Sequence, residues 1–430
     1  MAASSQMAIS SSTHDGKNTV KPLRIVAVHM DFSLHWPARL AKFRELVECN
    51  GAEITIIEVA MRGSPYDFSR IGRLADASTR GWLSLFGNIR LSYLSPRLIA
   101  RELWRVLDRI DPDVVLSGPI AFPAGATAVR WCRTRRRGVV VMNNARLEDV
   151  PRSRLVNTIK RHVYRNVDAM LAPATSHLAS CGHFGIPDAR VFFGVNVIDN
   201  EWFASRAEMQ RRSGNREICG VRLPANFFLG VGRQVTKKNW PGLISAYGLY
   251  RQTVDQPWDL LLVGNGVQRN AIVNRIRKVG SRGISLVPMV TQEELCTLYA
   301  TANCLVLPSY YGETWGAVVN EAMACGLPVL VSNECGCVQT LVRPGENGWQ
   351  FSPHSPAELT AAMVRIASLS PTDRENMGKA SQEIIREWSL DRFAEGAWAA
   401  ICAVRDCQRG FASLLDRALF SVWHGRFRPT

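Results

Sequence analysis

Short apolar runs alternate with longer amphipathic stretches in the first half of this chain. The short runs are bounded by Gly, Pro or Asp, which is typical of buried parallel strands. The pattern predicts strands at 23–29, 53–59, 113–117, 138–142 and 170–172, and helices at 37–49, 96–110, through 129–133 and at 175–181. Residues 62–95 have no clear period and are left unassigned.

The same alternation restarts after a polar stretch at 208–220. It predicts strands at 226–231, 258–263, 284–287, 304–307 and 329–332, and helices at 241–252, 267–279, 292–300, 317–325, 356–369, 371–388 and 390–409. Strands that alternate with helices favour a doubly wound parallel sheet. We therefore predict an α/β fold of two facing Rossmann-like domains, with a ligand cleft between them beyond the carboxyl ends of the strands.

The length of 430 residues also favours more than one domain, since it exceeds what one hydrophobic core usually serves. The predicted parts are a disordered leader at 1–20, an N-terminal domain at 21–205, a C-terminal domain at 222–388 and a C-terminal helical segment at 389–430.

Composition is that of an ordinary globular protein, with 47% hydrophobic and 21% charged residues. No apolar run reaches the ~18–20 residues that a membrane span needs, and the Ser-rich N-terminus lacks the apolar region of a secretory signal. The 11 Cys residues show no zinc-binding spacing, and we interpret them as reduced, buried thiols. Asp111 and Asp113 precede a strand, so we do not interpret them as a metal pair. These features predict a cytoplasmic protein.

The formal net charge of +15 is concentrated in the region 130–165. The basic residues there are Arg130, Arg133, Arg135, Arg136, Arg137, Arg152, Arg154, Lys160, Arg161 and Arg165. Within 155–164, apolar residues recur at helical spacing beside the basic ones, which predicts an amphipathic helix able to lie on an anionic membrane surface. The alternative is a solvated basic surface. Nucleic-acid binding is not predicted, because no nucleic-acid module signature appears.

The stretch 307–330 carries the clearest candidate chemistry. Glu313 and Glu321 lie eight residues apart, with a loop that ends at Gly316 and a predicted helix that ends at Gly326. A carboxylate can accept hydrogen bonds from two hydroxyl groups, and a helix N-terminus favours an anion. This arrangement predicts a site for an anionic ligand with many hydroxyls.

A second basic element, GVGRQVTKKNWPGL, begins at Gly230. Gly232 and Arg233 directly follow a predicted strand, and Lys238 comes just before the next helix. Cations at a strand's carboxyl end can neutralise a diphosphate and stabilise it as a leaving group. Taken alone, this element is more typical of an ordinary basic surface loop.

The combined pattern resembles the retaining glycosyltransferases of family 4, which have the two-domain glycosyltransferase-B fold. The resemblance covers about residues 225–390. The matching residues are Gly232, Arg233, Lys238, Gly264, Gly266, Pro308, Ser309, Glu313, Gly316, Glu321 to Ala324, Gly326, Pro328, Val329, Gly345 and Gly348.

The resemblance implies a nucleotide-diphosphate sugar as donor, with no metal and no other cofactor. It implies that Glu313 holds donor-sugar hydroxyls, that Glu321 binds the ribose, and that Arg233 and Lys238 bind the diphosphate. The further residues that it places around the donor are Gly232, Asn265, Val290, Thr314, Trp315 and Gly316. It also implies that the C-terminal helical segment returns to the N-terminal domain.

The first half departs from the family pattern at the acceptor side. Its first strand–helix turn lacks the usual glycine-rich loop, and His35 in that turn is a candidate for contact with the acceptor. Many family members carry a His after the strand at 138–142, whereas this chain has Asn143, Asn144 and Arg146. The implied acceptor is a saccharide or a lipid-linked saccharide, and the implied location is the cytoplasm, with the membrane's inner face as a possible docking surface.

Two other functions stay open at this point. One is a nucleotide-sugar epimerase on a similar fold, which would need acid and base side chains in the cleft. The other is a catalytically silent nucleotide-sugar-binding protein.

Overall fold

The computed structural model describes residues 21–62, 81–149, 153–280, 282–407, 409–410 and 413–426. The leader predicted at 1–20 and most of the unassigned stretch lie outside the described residues.

The N-terminal sheet has seven parallel strands in the order β3-β2-β1-β4-β5-β6-β7. They are β1 Arg24–His29, β2 Glu53–Glu58, β3 Trp82–Ser84, β4 Val114–Ser117, β5 Gly138–Met142, β6 Ala169–Ala172 and β7 Val191–Phe193. In the register of β1, Ile25 lies beside Ile54 of β2 and Val114 of β4. The inner strands are buried on both faces, which is why they read as continuous apolar runs.

The C-terminal sheet has six parallel strands in the order β12-β11-β10-β13-β14-β15, and a two-stranded hairpin of β8 and β9 precedes it. The strands are β8 Glu217–Ile218, β9 Val221–Arg222, β10 Phe227–Val231, β11 Asp259–Val263, β12 Ile284–Val287, β13 Cys304–Leu307, β14 Val329–Ser332 and β15 Gly348–Phe351. Strand order reverses between β10 and β13, and such a switch point is where open α/β sheets bind ligands.

Helices cover both faces of the two sheets. They are α1 Trp36–Cys49, α2 Pro96–Ile110, α3 Pro123–Arg135, α4 Arg154–Tyr164, α5 Leu178–His183, α6 Asn200–Ser213, α7 Trp240–Thr253, α8 Arg269–Val279, α9 Gln292–Thr301, α10 Ala317–Ala324, α11 Val338–Leu341, α12 Pro356–Ala367, α13 Pro371–Arg386, α14 Leu390–Arg405 and α15 Leu414–Val422. Local signals set their starts. Thr291 and Glu294 form a capping box at α9, and Ser95 caps α2 before a proline.

Two helices connect the domains. α6 leaves the N-terminal domain and packs against α9 and α10 of the C-terminal domain. α14 crosses back and packs on α1 and on the strands from β4 to β7. These two helices therefore hold the carboxyl edges of the two sheets towards each other.

The predicted fold class is confirmed: both halves are doubly wound parallel α/β domains. The sequence pattern did not predict β3, β7 and β15, which are short strands at sheet edges, or α6, whose last residues enter the polar stretch. Edge strands bury only part of each side chain, so they lack the continuous apolar run that identifies the inner strands.

Two further sequence-based expectations concern the cysteines and the membrane. The expectation of buried thiols holds for seven of the Cys residues but is wrong for Cys49, Cys219 and Cys407, which are exposed. In the described part of the chain, none of the helices combines the length and the apolar character that a bilayer span requires.

Candidate active site

The predicted donor-side residues lie at the carboxyl ends of four neighbouring strands. Arg233 follows β10, Asn265 follows β11, Val290 follows β12, and 313–316 follow β13. Because β12, β11, β10 and β13 are adjacent in the sheet, these residues share one edge. Asn265 connects two of these loops, since its carbonyl accepts a hydrogen bond from the backbone N–H of Gln234 at 2.8 Å.

Glu313 and Lys238 form a direct ion pair at this edge. Lys238 Nζ lies 2.5 Å from Glu313 Oε2, and the hydroxyl of Ser309 donates to the same oxygen at 2.9 Å. Burial alone would raise the pKa of Glu313, but the charges of Lys238 and Lys237 and these two hydrogen bonds hold it below its ordinary value. The carboxylate is therefore ionised and oriented at neutral pH.

Lys237 is a functional candidate that the sequence analysis did not single out. Its Nζ donates to the carbonyl of Gly312 at 3.2 Å. Burial lowers the pKa of Lys237, the charge of Glu313 opposes that shift, and the charges of Arg233 and Lys238 add to it. Lys237 and Lys238 thus face the carboxylate of Glu313, while Arg233 and Asp149 lie close enough to act on Lys237. This concentration of positive charge suits an anion. The signal available in the sequence was the Lys237–Lys238 doublet.

Glycines allow the loops at this edge to meet backbone to backbone. A Cβ atom at Gly264 would lie 2.1 Å from the carbonyl oxygen of Gly232, and one at Gly266 would lie 2.4 Å from that of Gln234. The side chain of Gln234 then donates to the carbonyl of Gly264 at 2.7 Å. Any larger residue at either glycine would push the cation-bearing loop away from the sheet edge.

Glu321 has a different environment, at the boundary between the domains. It is buried in α10, with 5% of its surface exposed. The hydroxyl of Tyr299 donates to its Oε2 at 2.7 Å, and His35 Nε2 donates to its Oε1 at 3.0 Å. His35, predicted on the acceptor side, therefore lies against a predicted donor-side carboxylate. Neither contact was predicted from the sequence.

The segment 314–316 also contacts the N-terminal domain. His177 donates from Nε2 to the carbonyl of Thr314 at 3.3 Å, and its ring lies 6.2 Å from that of Trp315. Trp315 is buried and donates to the side chain of Asn320 at 2.9 Å. Burial and then the charge of Arg146 lower the pKa of His177 to about 4, so the imidazole is neutral at pH 7.

Gly316 is the residue before α10, with φ at +111°. A Cβ atom there would lie 2.8 Å from Leu307 of β13, so glycine lets the chain turn sharply into the helix. The turn sets where the first helical N–H groups lie relative to Glu313.

The predicted acceptor-side residues after β5 also lie at the boundary between the domains. The guanidinium of Arg146 donates to Asp149 at 2.9 Å and, across the boundary, to the carbonyl of Glu334 at 2.7 Å. Asn143 is buried, and its side-chain oxygen accepts a hydrogen bond from the backbone N–H of Ala145 at 3.4 Å. The backbone of Asn144 hydrogen-bonds His177. The carboxyl edges of the two sheets therefore meet around the predicted site.

Three arginines of the predicted basic region are neutralised within the fold, and Arg152 of that region lies outside the described residues. Ion pairs join Arg133 to Asp168 at 3.0 Å, Arg135 to Asp108 at 2.9 Å and Arg137 to Asp111 at 2.7 Å. The predicted amphipathic helix is α4, whose Leu155 and Val156 are exposed while Val163 and Tyr164 are buried. The described residues include no group of three or more His, Cys, Asp or Glu side chains placed to hold a metal ion. Metal independence stays a prediction.

Comparison with solved structures identifies the class of fold. Sucrose-phosphate synthase from Thermosynechococcus elongatus matches with a TM-score of 0.65 at 19% identity, covering 88% of this chain and 98% of that one. HepE from Anabaena, solved in complex with UDP and glucose, matches with a TM-score of 0.66 at 15% identity, covering 89% and 100%. Two facing parallel α/β domains of this kind constitute the glycosyltransferase-B fold.

Family models cover both domains. The model described as Glycosyl transferases group 1 matches residues 213–384, and the one described as Glycosyltransferase Family 4 matches residues 43–202. The chain belongs to this group 1, family 4 class of glycosyltransferases.

Curated relatives match over shorter regions. A D-inositol 3-phosphate glycosyltransferase from Kribbella flavida is 30% identical over 226 residues, which are 50% of this chain and 52% of that protein. An O-antigen chain mannosyltransferase B from Escherichia coli is 34% identical over 141 residues, 32% of this chain and 36% of that protein. The chain spans about half the length, or less, of these relatives.

Proposed function

We propose that this protein transfers a sugar from a nucleotide-diphosphate sugar to a saccharide or lipid-linked saccharide, with retention of anomeric configuration and without a metal. The observation that carries the proposal is the pair of lysines, Lys238 and Lys237, beside Glu313 at the carboxyl edge of the C-terminal sheet, with Arg233 near Lys237. The surplus positive charge matches a diphosphate, and the carboxylate matches sugar hydroxyls.

In the proposed reaction, the bond between the anomeric carbon and the diphosphate oxygen breaks, and its electron pair leaves with the diphosphate. Arg233 and Lys238 stabilise the negative charge that develops on this leaving group, which is the role a metal ion has in other transferases. The acceptor oxygen forms the new bond from the same face. Its proton passes to the departing diphosphate, so the step balances without an enzyme nucleophile.

Glu321 is proposed to bind the ribose. For that, at least one of its present hydrogen bonds must be replaced. Its two oxygens accept from Tyr299 and His35. Tyr299 belongs to the same domain as Glu321 and can stay, whereas His35 reaches it from the facing domain. A ribose diol would therefore take the place of His35, and the boundary between the domains would open locally.

The acceptor would lie on the edge of the N-terminal sheet, near Asn143, Asn144 and Arg146. The proposed docking to an anionic membrane rests on α4, where exposed Leu155 and Val156 lie beside basic residues. The ion pairs of Arg133, Arg135 and Arg137 reduce what the preceding basic run contributes.

A donor screen tests the proposal. The full chain is first tested by thermal shift with UDP, GDP and ADP, because a ligand that binds only the folded form raises the melting temperature. The matching labelled nucleotide sugars are then incubated with lipid extract. Transfer to the lipid fraction supports the proposal, while interconversion of free sugar, or binding without turnover, would contradict it. The coupling constant of the product's anomeric proton reports retention or inversion.

A further inference from the structure

A pocket of about 300 Å³ lies between α2 and α3, away from the predicted donor site. The C-terminal residues that follow α15 close it. The side chains that matter for its chemistry are Arg97, Arg101, Trp104, Arg130, Trp423 and His424.

The pocket concentrates positive charge. None of the described residues that line it is acidic. The nearest acid in sequence, Glu102, accepts from Arg101 at 3.0 Å and from Arg105 at 2.9 Å. Burial, then the charges of Arg130 and Arg97, lower the pKa of His424. The charges of Arg97 and Arg130 therefore disfavour a charged His424 in the absence of an anion, whereas Glu102 offsets the charge of Arg101.

The pocket wall is held in place by specific contacts rather than by a loose tail. Trp423 donates from its indole N–H to the carbonyl of Ile120 at 3.0 Å. The backbone N–H of Arg426 donates to the carbonyl of Ala121 at 2.8 Å. Gly425 has φ at +65°, and a Cβ atom there would lie 2.5 Å from the backbone of Phe122. The tail thus follows the start of α3 closely, which only glycine allows at this position.

The aromatic side chains of the pocket complement its cations. The guanidinium of Arg130 lies 5.4 Å from the ring centre of Trp104, a cation–π distance that orients it. Trp423 is partly exposed beside it. Guanidinium groups bind phosphate oxygens in a bidentate manner, and indole faces pack against the apolar faces of a small attached group.

We propose that this pocket binds a phosphate group carried by a small organic moiety, through Arg97 and Arg130, with Trp104 and Trp423 against that moiety. The volume accommodates one phosphate with a glycerol- or sugar-sized substituent, at the lower end of ligand pockets. Such a phosphate belongs either to a lipid headgroup or to a soluble phosphate ester. This site does not depend on the proposed sugar transfer.

The test uses the full chain and the double variant Arg97→Gln/Arg130→Gln. Glycerol 3-phosphate is titrated calorimetrically, and we expect saturable binding that weakens at least about tenfold in the double variant. The matched control is Arg109→Gln/Arg277→Gln, which removes the same charge from α2 and from α8 outside the pocket. Equal binding by the wild type and the pocket variant, or no saturable binding at all, would overturn the proposal.

Sedimentation with vesicles distinguishes the two sources. Vesicles of phosphatidylcholine alone are compared with vesicles that also contain phosphatidylglycerol. If the phosphate belongs to a lipid, the pocket variant loses binding to the second kind, the control variant keeps it, and glycerol 3-phosphate competes. If the ligand is soluble, calorimetry shows the loss and sedimentation shows none. An equal loss in both double variants, without calorimetric binding, indicates general surface charge and refutes the site.

Proton uptake supplies a readout that a purely structural role would not move. A bound phosphate would offset the charges that depress the pKa of His424, so the imidazole would take up a proton on binding. Calorimetry near pH 6 in buffers of different ionisation enthalpy measures this uptake. We expect more protons to be taken up per bound ligand by the wild type than by His424→Gln, because the phosphate's own ionisation near pH 6 is common to both. Equal proton exchange in the two proteins would exclude His424 from the site.

Discussion

Glu313 and Glu321 belong to one loop–helix unit, yet their partners come from different domains. Glu313 is held by Lys238 and Ser309, both from the C-terminal domain. Glu321 is held by Tyr299 from its own domain and by His35 from the facing one. One carboxylate is thus complete within a domain, while the other depends on how the two domains meet.

The difference separates two tasks of a donor site. In the proposed function, the cluster around Glu313 receives a diphosphate without any change in domain arrangement, because its members lie on one sheet edge. Binding at Glu321 must compete with an existing hydrogen bond to the other domain. The proposed site therefore combines a preformed charged half with a half whose occupancy is coupled to the contact between domains.

The largest predicted effect comes from breaking the preformed half. Lys238→Gln removes the cation proposed to stabilise the leaving diphosphate, and we expect kcat/KM for transfer to fall by roughly 10²–10³-fold. Lys278→Gln on the outer surface of α8 removes the same charge and should leave transfer unchanged. Wild-type turnover in Lys238→Gln would show that this cation has no part in the reaction.

The second prediction concerns pH. As the pH falls, the contribution of His177 at the boundary between the domains should be lost before that of Glu313 in the charged half. Burial lowers the pKa of His177 to about 4 from an ordinary value of 6.5. Between those values, the unfolded chain binds a proton that the folded chain does not, so stability falls as the pH drops below about 6.5. The pKa of Glu313 is itself lowered, so its contribution is present above the ordinary carboxyl range and is lost only at lower pH.

Urea denaturation at pH 7 and pH 5 measures this effect. From pH 7 to pH 5, we expect His177 to account for a loss of about 2 kcal/mol in the free energy of unfolding. In His177→Gln that share of the pH dependence should disappear, while the control His354→Gln on the surface of the C-terminal domain should keep it. An unchanged pH dependence in His177→Gln would contradict the assignment.

The third prediction concerns the carboxylate at the boundary. Glu321→Gln keeps the volume and some hydrogen bonding to Tyr299 and His35, but it loses the charge that strengthens bonds to a ribose diol. We expect the dissociation constant of the nucleoside diphosphate that the donor screen identifies to rise by about 10–100-fold. Glu293→Gln, on the exposed face of α9, is the matched control. Equal affinity in Glu321→Gln and wild type would remove Glu321 from the donor site.

The same two glutamates indicate how far the sequence could predict the site. Glu313, Lys238 and Arg233 were predicted because they follow strands whose carboxyl ends must share an edge in any doubly wound sheet. Those relationships are local to one domain. His35 and His177 were not assigned to contacts with 314–321, because the distance between the domains' loops depends on α6 and α14, whose packing no local pattern encodes.

The basic region shows the same limit for electrostatics. A count of arginines at 130–137 predicted a positively charged surface, but Asp108, Asp111 and Asp168 neutralise several of them from other elements. Arg130 instead faces Trp104 in the pocket closed by the C-terminal tail. The sequence shows the number of charged residues in this region. Which arginines remain unneutralised depends on the acidic residues that the fold brings close to them.

The smallest predicted effect tests the competition at Glu321 directly. His35→Ala removes the group that a ribose must displace, so we expect the nucleoside diphosphate to bind about 3–10-fold more tightly. His35→Gln can still donate to Glu321 and should bind with wild-type affinity. Calorimetric titration of both variants measures the difference. Weaker binding in His35→Ala would mean that His35 contacts the donor itself. The ribose would then not displace His35, and Glu321, like Glu313, would be ready to bind without a change at the boundary between the domains.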